Sequence, residues 1–215
     1  MPTATATWCA AVCPWRRTRN DLFLRPASML PRDGSASLVR LFDSASAQEW
    51  FDRLKDSLVW KQDEVMMFGK KIITKRLMAW YADAGKSYRY SGITRTALEW
   101  TDALMSLKAM AEENSGCRFN SCLCNLYHNG SESMGWHRDN EPELDPRAPI
   151  ASISLGAVRR FHFRHRTTGE KISLLLENGS LLLMDPPVQE YWEHQLPAMK
   201  RVQEPRINLT FRRIR

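Results

Sequence analysis

Arg206-Ile-Asn-Leu-Thr-Phe-Arg212 alternates without a break. Successive side chains of an extended strand point to opposite faces, so Arg206, Asn208, Thr210 and Arg212 share one face and Ile207, Leu209 and Phe211 the other. An ordinary half-buried strand turns its polar face to water. Here that face holds two guanidiniums with an amide and a hydroxyl between them, and guanidinium forks suit carboxylates. A dicarboxylate lying over the strand would fit it. Phe119–Tyr127 repeats the pattern, with Leu123, Asn125 and Tyr127 on one face and Cys122 and Cys124 on the other. The polar residues there are further donors for the same ligand or simply line a barrel.

Around these two segments the chain breaks into short extended pieces: Ser37–Phe42, Ala151–Leu155, Arg160–Arg164, Lys171–Leu176 and Ser180–Met184. Val65–Tyr90 reads as strands and loops with a hairpin near Phe68-Gly69. Many short strands with Gly and Pro between them indicate a barrel or sandwich rather than alternating α/β units. Two helices flank them. Ser46-x-x-Glu49 forms a capping box for the first, to about Leu58, with Trp50, Leu54 and Leu58 as its buried stripe. Thr96-x-x-Glu99 caps the second, to about Asn114, with Trp100, Leu104, Leu107 and Ala111 at helical spacing. There is no internal repeat, P-loop or Gly-x-Gly-x-x-Gly.

Gly135-Trp-His-Arg-Asp-Asn140 supplies the chemistry. On a strand or its end, His137 and Asp139 point the same way and Arg138 turns out. A third ligand must come from elsewhere, and His194, in Tyr191-Trp-Glu-His-Gln-Leu-Pro197, is the candidate. Two imidazoles and a carboxylate are the ligand set of the non-heme Fe(II) facial triad, which leaves positions open for oxygen chemistry. A His-x-Asp pair alone is a weak signal that usually marks a surface turn, and a lone histidine is more often bonded to backbone.

The 215 residues suit one domain with one substantial core. A net charge of +7 favours a polyanionic partner. Lys70–Arg95 holds seven basic residues and one acid, interleaved with Trp80, Tyr81, Tyr88 and Tyr90, so that cations meet phosphates while rings stack on bases. Five cysteines without a paired pattern read as reduced thiols of an intracellular protein. No apolar run is long enough to span a membrane. The first 34 residues, rich in Ala, Thr, Arg and Pro, read as a disordered or leader segment, with organelle targeting as a further reading.

From about Val65 onward the chain resembles the AlkB family of Fe(II)/2-oxoglutarate-dependent dioxygenases, most closely its eukaryotic-type nuclear DNA-repair members. The resemblance rests on Phe68-Gly-Lys70, Tyr88-Arg-Tyr-Ser-Gly92, Asn125-Leu-Tyr127, His137-Arg-Asp139 with Glu141, Pro149–Gly156, Phe161–His165, His194-Gln-Leu-Pro197 and Pro205–Arg212. It implies a mainly β (α+β) chain, a double-stranded β-helix or jelly roll with an N-terminal nucleotide-recognition lid. Residues 35–215 would be a single catalytic domain, with 35–116 carrying the helices and recognition portion and 117–215 the jelly-roll core. It implies iron on His137, Asp139 and His194. Arg206 would take the distal carboxylate of 2-oxoglutarate, helped by Tyr127 and Asn208, while Arg212 and Asn125 serve the end that chelates iron. Phe68, Lys70, Tyr88, Tyr90, Arg138 and Glu141 would contact the substrate, with Tyr90 stacking on the base opposite His137. Asn140 stands where close relatives carry a second acid.

The activity so implied is oxidative demethylation of 1-methyladenine- and 3-methylcytosine-type bases in DNA. It uses Fe(II), 2-oxoglutarate and O2, and releases succinate, CO2 and formaldehyde. An RNA or protein demethylase with the same iron core, or an inactive nucleic-acid-binding jelly roll, are the rival readings. The expected partner of this monomer is alkylated DNA, duplex or single-stranded, with RNA a further candidate. The expected place is the nucleus in a eukaryote or the cytoplasm in a bacterium. Phe68 matches the finger aromatic that duplex-acting relatives insert into the vacated stack. From the residues alone, Met66, Met67 and Phe68 would fill a small core under a hairpin.

Overall fold

In a computed structural model the described residues are 28–67, 70–84, 87–90 and 93–215, the side chains of 63–67, 70–72, 87–90 and 93–96 excepted. The chain order is β1 (Ala36–Arg40), α1 (Ser44–Ser57), β2 (Lys61–Met67), β3 (Lys70–Ala82), β4 (Ser87–Tyr90), β5 (Ile93–Thr96) and α2 (Asp102–Ser115). Then come β6 (Ser121–Tyr127), β7 (Met134–His137), β8 (Ile150–Gly156), β9 (Arg159–His165), β10 (Lys171–Leu176), β11 (Ser180–Met184), α3 (Val188–Tyr191), β12 (Trp192–Leu196) and β13 (Arg206–Arg212).

The alternating strand β13 lies at the centre of a seven-stranded sheet ordered β1-β11-β8-β13-β6-β3-β2. A second sheet is ordered β10-β9-β12-β7, and β4 pairs with β5. Neighbouring strands are antiparallel throughout, and β13 pairs with β6 on one side and β8 on the other. Two antiparallel sheets of this kind, with side chains of both lining one cleft, form a jelly roll. Strands from before and after residue 117 share the larger sheet.

The alternation in β13 is realised in packing. Ile207, Leu209 and Phe211 are fully buried in one cluster with Ala47, Phe51 and Leu54 of α1 and Leu104, Leu107 and Ala111 of α2. Cys122 and Cys124 join this layer, as their phase in β6 predicts. The helices therefore cover the outer face of the large sheet. Each fully buried side chain of that size contributes about 1.5–3 kcal/mol. The opposite faces of β6 and β13 are left to the cleft.

Both helix starts differ from expectation. Asp43, not Ser46, caps α1, accepting the Ser46 N–H at 2.8 Å. The buried stripe is Ala47, Phe51 and Leu54, while Trp50 sits half-buried at the edge against Phe42. Thr101 caps α2, accepting the Leu104 N–H at 3.2 Å, because Thr96 is spent as the last residue of β5. Gly116 closes α2 with φ +68, a conformation that glycine adopts without Cβ strain. The first strand stops at Arg40, since the Leu41 and Phe42 N–H groups both turn to the Gly179 carbonyl. Three strands, β5, β7 and β12, fall outside the expected extended pieces. The expected hairpin joins β2 to β3, with Met67 opposite Lys70. Phe68 and Gly69 lie outside the described residues, as do residues 1–27 of the expected leader.

Candidate metal and co-substrate site

The smaller sheet brings the histidines together. His137 ends β7, and the register of β7 with β12 sets His194 opposite it. Their ring centroids are 4.3 Å apart. Asp139 follows two residues after His137, so it returns to the same side. Donor atoms of His137, Asp139 and His194 all lie within 4.8 Å of one another, the only such cluster of three or more among the described residues. The His137 Nδ1 lies 2.8 Å from the Gly135 carbonyl, which makes Nδ1–H the donor and leaves the Nε2 lone pair 4.0 Å from the Asp139 Oδ1. Phe161 stacks on His194 at 5.4 Å, and Phe163 meets it edge-on.

The electrostatics suit a cation. Burial alone would raise the Asp139 carboxyl, but Arg212, then His194 and His137, outweigh it and hold its pKa down at about 2. Arg212 Nη2 donates to Asp139 Oδ2 at 2.8 Å, and its Nε to the same oxygen at 3.2 Å. Burial, aided by His137 and opposed by Asp139, pushes His194 down to about 3, so at neutral pH it is an uncharged imidazole with no proton to displace. Among the described residues the His194 Nδ1 is fully buried and has no hydrogen-bond partner. A carboxylate held ionised beside two imidazoles fits a divalent metal.

The large sheet supplies the other wall. Leu123, Asn125, Tyr127, Arg206, Asn208, Thr210 and Arg212 line the same cleft as the triad, as their alternation predicts. Arg206 is 2 % exposed. Its Nη2 donates to Ser154 Oγ at 2.8 Å, its Nε has no partner, and no acidic side chain pairs with it among the described residues. Its guanidinium lies 5.5 Å from the Tyr127 ring centre. A buried cation without a counter-charge costs several kcal/mol unless an anion meets it. The cleft thus fits a carboxylate at this end and a metal at the other, the two ends of an iron-chelating 2-oxo acid.

Other expected site residues are placed less centrally. Arg212 is engaged with Asp139, and Asn125 accepts from Arg76 Nε at 3.2 Å. Asn208 donates to Ser152 Oγ at 2.8 Å and to the Ile153 carbonyl at 3.0 Å. Arg138 and Glu141 line a neighbouring cavity of about 590 Å³ that shares Asp139 and Arg212 with the cleft. The backbones of Lys70, Tyr88 and Tyr90 lie in β3 and β4, but their side chains fall outside the described residues, and so does Phe68.

Sequence reasoning passed over Arg76, Ser152, Ser154 and Gln189. Ser152 and Ser154 carried the same alternation signal as β13, muted by short side chains. Arg76 was grouped with the phosphate-binding cations, whereas it is 8 % exposed. Gln189 had no local signal: from α3 its Oε1 accepts the Asp139 N–H at 3.0 Å, and its carbonyl accepts from Arg138 Nη1 at 3.3 Å. Gln189→Ala should weaken iron binding about 10- to 100-fold, the usual cost of losing an outer partner of a metal ligand, with little change in melting temperature. Unchanged iron affinity by competition with a chelator would show that the His137–Asp139 turn holds without it.

Residues 34–212 match the model of the 2OG-Fe(II) oxygenase superfamily. The chain belongs to this superfamily. Within it, the oxygenase is 42% identical over 191 residues to DNA oxidative demethylase ALKBH2 of Mus musculus, covering 84% of this chain and 80% of the relative. The Homo sapiens ALKBH2 is 40% identical, covering 83% and 72%. Alpha-ketoglutarate-dependent dioxygenase alkB homolog 3 of Bos taurus is 38% identical, covering 80% and 63%. These relatives set the oxygenase in the AlkB family. The solved structure of OsALKBH1 shares its fold, with a TM-score of 0.55 at 15% identity over 87% of this chain and 100% of that one. The oxygenase is accordingly an Fe(II)- and 2-oxoglutarate-dependent dioxygenase.

Proposed function

We propose that this dioxygenase removes methyl groups from 1-methyladenine- and 3-methylcytosine-type bases in DNA, a direct-reversal repair. The observation that carries it is a single cleft with a His-Asp-His cluster on one wall and the unpaired, buried Arg206 on the other. The relatives named DNA oxidative demethylase carry the choice of substrate class. His137, Asp139 and His194 hold the iron. Arg206, backed by Tyr127 and Asn208, takes the distal carboxylate of 2-oxoglutarate. Arg212 keeps Asp139 ionised and oriented, and with Asn125 borders the chelating end.

When bound, iron, 2-oxoglutarate and O2 supply the oxidant for a methyl C–H bond, with succinate and CO2 as co-products. The chain's own residues bind and orient. Phe161 and Phe163 pack around His194 and keep water from it. Glu141 and Arg138 border the base from the cavity beside Asp139, and Tyr88 and Tyr90 cover it. The hydroxylated methyl then leaves as formaldehyde, with no protein nucleophile. A base in duplex must be flipped out to reach the iron, and a methyl that blocks pairing lowers that cost.

Methyl-dependent succinate formation on methylated single-stranded DNA, duplex DNA, RNA and peptide tests the reading. DNA should turn over fastest. Faster turnover on RNA or peptide would move the enzyme to another substrate class, and no methyl-dependent turnover on any of them would leave a binding module. Residues 35–215 act in this reading as one catalytic domain and as a monomer. A nuclear place of action suits DNA repair in a eukaryote. Among the described residues no helix is long and apolar enough to cross a membrane.

Both duplex and single-stranded DNA are substrates in this proposal, with Phe68 as the wedge that fills the vacated stack and Lys70 on a phosphate beside it. Phe68→Ala should then lower activity on methylated duplex about tenfold more than on methylated single strand, because a single strand leaves no hole to fill. Equal loss on both substrates with a lower melting temperature would make Phe68 a core residue.

A further inference from the structure

Arg159 is the most buried cation of the described chain, fully enclosed although it begins a strand next to the exposed Arg160. Its guanidinium does not form an ion pair in the ordinary sense. It donates to main-chain carbonyls: Nη2 to Glu132 at 2.7 Å, Pro197 at 3.0 Å and Gly130 at 3.4 Å, and Nη1 to Asn129 at 3.4 Å. Those carbonyls belong to two loops, one leading from β6 to β7 and one leaving β12. The loops are themselves laced together: Met199 N–H donates to the Gly130 carbonyl at 2.7 Å, and Gly130 N–H to the Val202 carbonyl at 2.8 Å. A Cβ at Gly130 would collide with the Met199 carbonyl, so the two loops touch there. Arg159 therefore bolts the exits of both strands that carry metal-binding histidines or lead to them.

The same guanidinium lies 5.7 Å from the centre of the Tyr127 ring, and Arg206 lies 5.5 Å from it. One ring thus serves two buried guanidiniums. Glu132, whose charge opposes the effect of burial on Arg159, spends its carboxylate hydrogen bonds on His128, accepting from its N–H at 3.0 Å and meeting its Nδ1 at 2.9 Å. Arg159 Nε, like Arg206 Nε, is buried with no partner. Burial pushes Arg206 down to about 10, with Tyr127 opposing and Arg159 adding to the fall. Two adjacent buried cations disfavour each other, and an anion entering beside them relieves both.

We propose that Arg159 is a positioning residue for the distal carboxylate of 2-oxoglutarate, holding Tyr127 and the loop pair behind it and adding a second buried positive charge to that of Arg206. This rests on the reading of Arg206 as the carboxylate's partner. It makes Arg159 part of how the enzyme tells a 2-oxo diacid from a 2-oxo monoacid. A monoacid such as pyruvate can chelate iron with the same near end but has nothing to offer the far end.

The test is calorimetric binding of 2-oxoglutarate and of pyruvate to the Fe(II)-loaded, oxygen-free protein, with melting temperatures alongside. Arg159→Met should weaken 2-oxoglutarate about tenfold and move pyruvate by less than about twofold. Arg159→Lys keeps the charge but not the fork, so it should lower the melting temperature yet hold the diacid preference within about threefold of the parent. Should the methionine variant fail to fold, Arg159→Gln, which keeps an amide donor for the Glu132 and Pro197 carbonyls, makes the same neutral comparison. Equal change for both ligands, or none for either, overturns the proposal. A lysine variant that loses the preference as fully as the neutral one overturns the charge role. Arg206→Ala separates the two levels. If it leaves 2-oxoglutarate binding unchanged, the reading of the strand itself fails. If it weakens binding and Arg159→Met does not, only the assignment of Arg159 fails.

Discussion

Asp139→Ala should reduce demethylation to background and strip the iron. Asp139 is the sole anionic member of the cluster and is held ionised by Arg212 at 2.8 Å. Its removal leaves two imidazoles without the anionic third ligand of the Fe(II) facial triad. It also leaves the Arg212 guanidinium buried without its carboxylate, which costs about 3–5 kcal/mol. Activity and stability should therefore fall together in this variant. Asp139→Asn keeps the shape and an oxygen, so it isolates the charge: iron affinity should still collapse. Atomic absorption on the purified variant checks the outcome, and near-normal iron occupancy with near-normal turnover would refute the triad. His137→Ala and His194→Ala should also silence the enzyme.

Arg206→Ala should produce the second-largest effect, on the co-substrate rather than on the iron. The substitution removes the guanidinium that lines the far end of the cleft, an expected loss of about 2–5 kcal/mol for a buried carboxylate partner. Half-saturation by 2-oxoglutarate should rise by at least about thirtyfold, while binding of DNA hardly changes. Folding should suffer little, because no acidic side chain pairs with the residue among the described residues and its loss relieves a buried charge. Half-saturation equal to that of the parent would reduce this face to an ordinary polar lining.

How far these residues could be read without coordinates follows from the kind of signal each carries. β13 has the expected bounds because alternation over seven residues leaves little freedom of register, and β10 and β11 keep theirs as short apolar runs on either side of the Glu177-Asn-Gly179 turn. β12 escaped, although Trp192, His194 and Leu196 alternate with Glu193 and Gln195, because five residues ending at Pro197 are a short signal. The helix caps went wrong by a few residues in each case. Several Ser, Thr and Asp residues near a helix start can all serve, and only tertiary contacts select among them. The ligand triad was legible as residue types, but its convergence rests on the opposition of His137 and His194 across two strands. Gln189 and Arg159 show the limit: each acts on atoms of distant backbone, the Asp139 N–H in one case and four carbonyls in the other. No periodicity or spacing marks such a contact.

The central place of β13 has a consequence for how the enzyme fails. Both arginines of the cleft sit on a strand whose amides are shared with β6 and β8, elements far from it in sequence. Fraying cannot release such a strand, so its amide protons should exchange with deuterium only when the whole barrel opens. The co-substrate end of the cleft is then guarded by the highest free-energy barrier the molecule has. Heating or denaturant should extinguish 2-oxoglutarate binding at the same midpoint as the global transition, without an earlier step in which a folded barrel has lost its ligand.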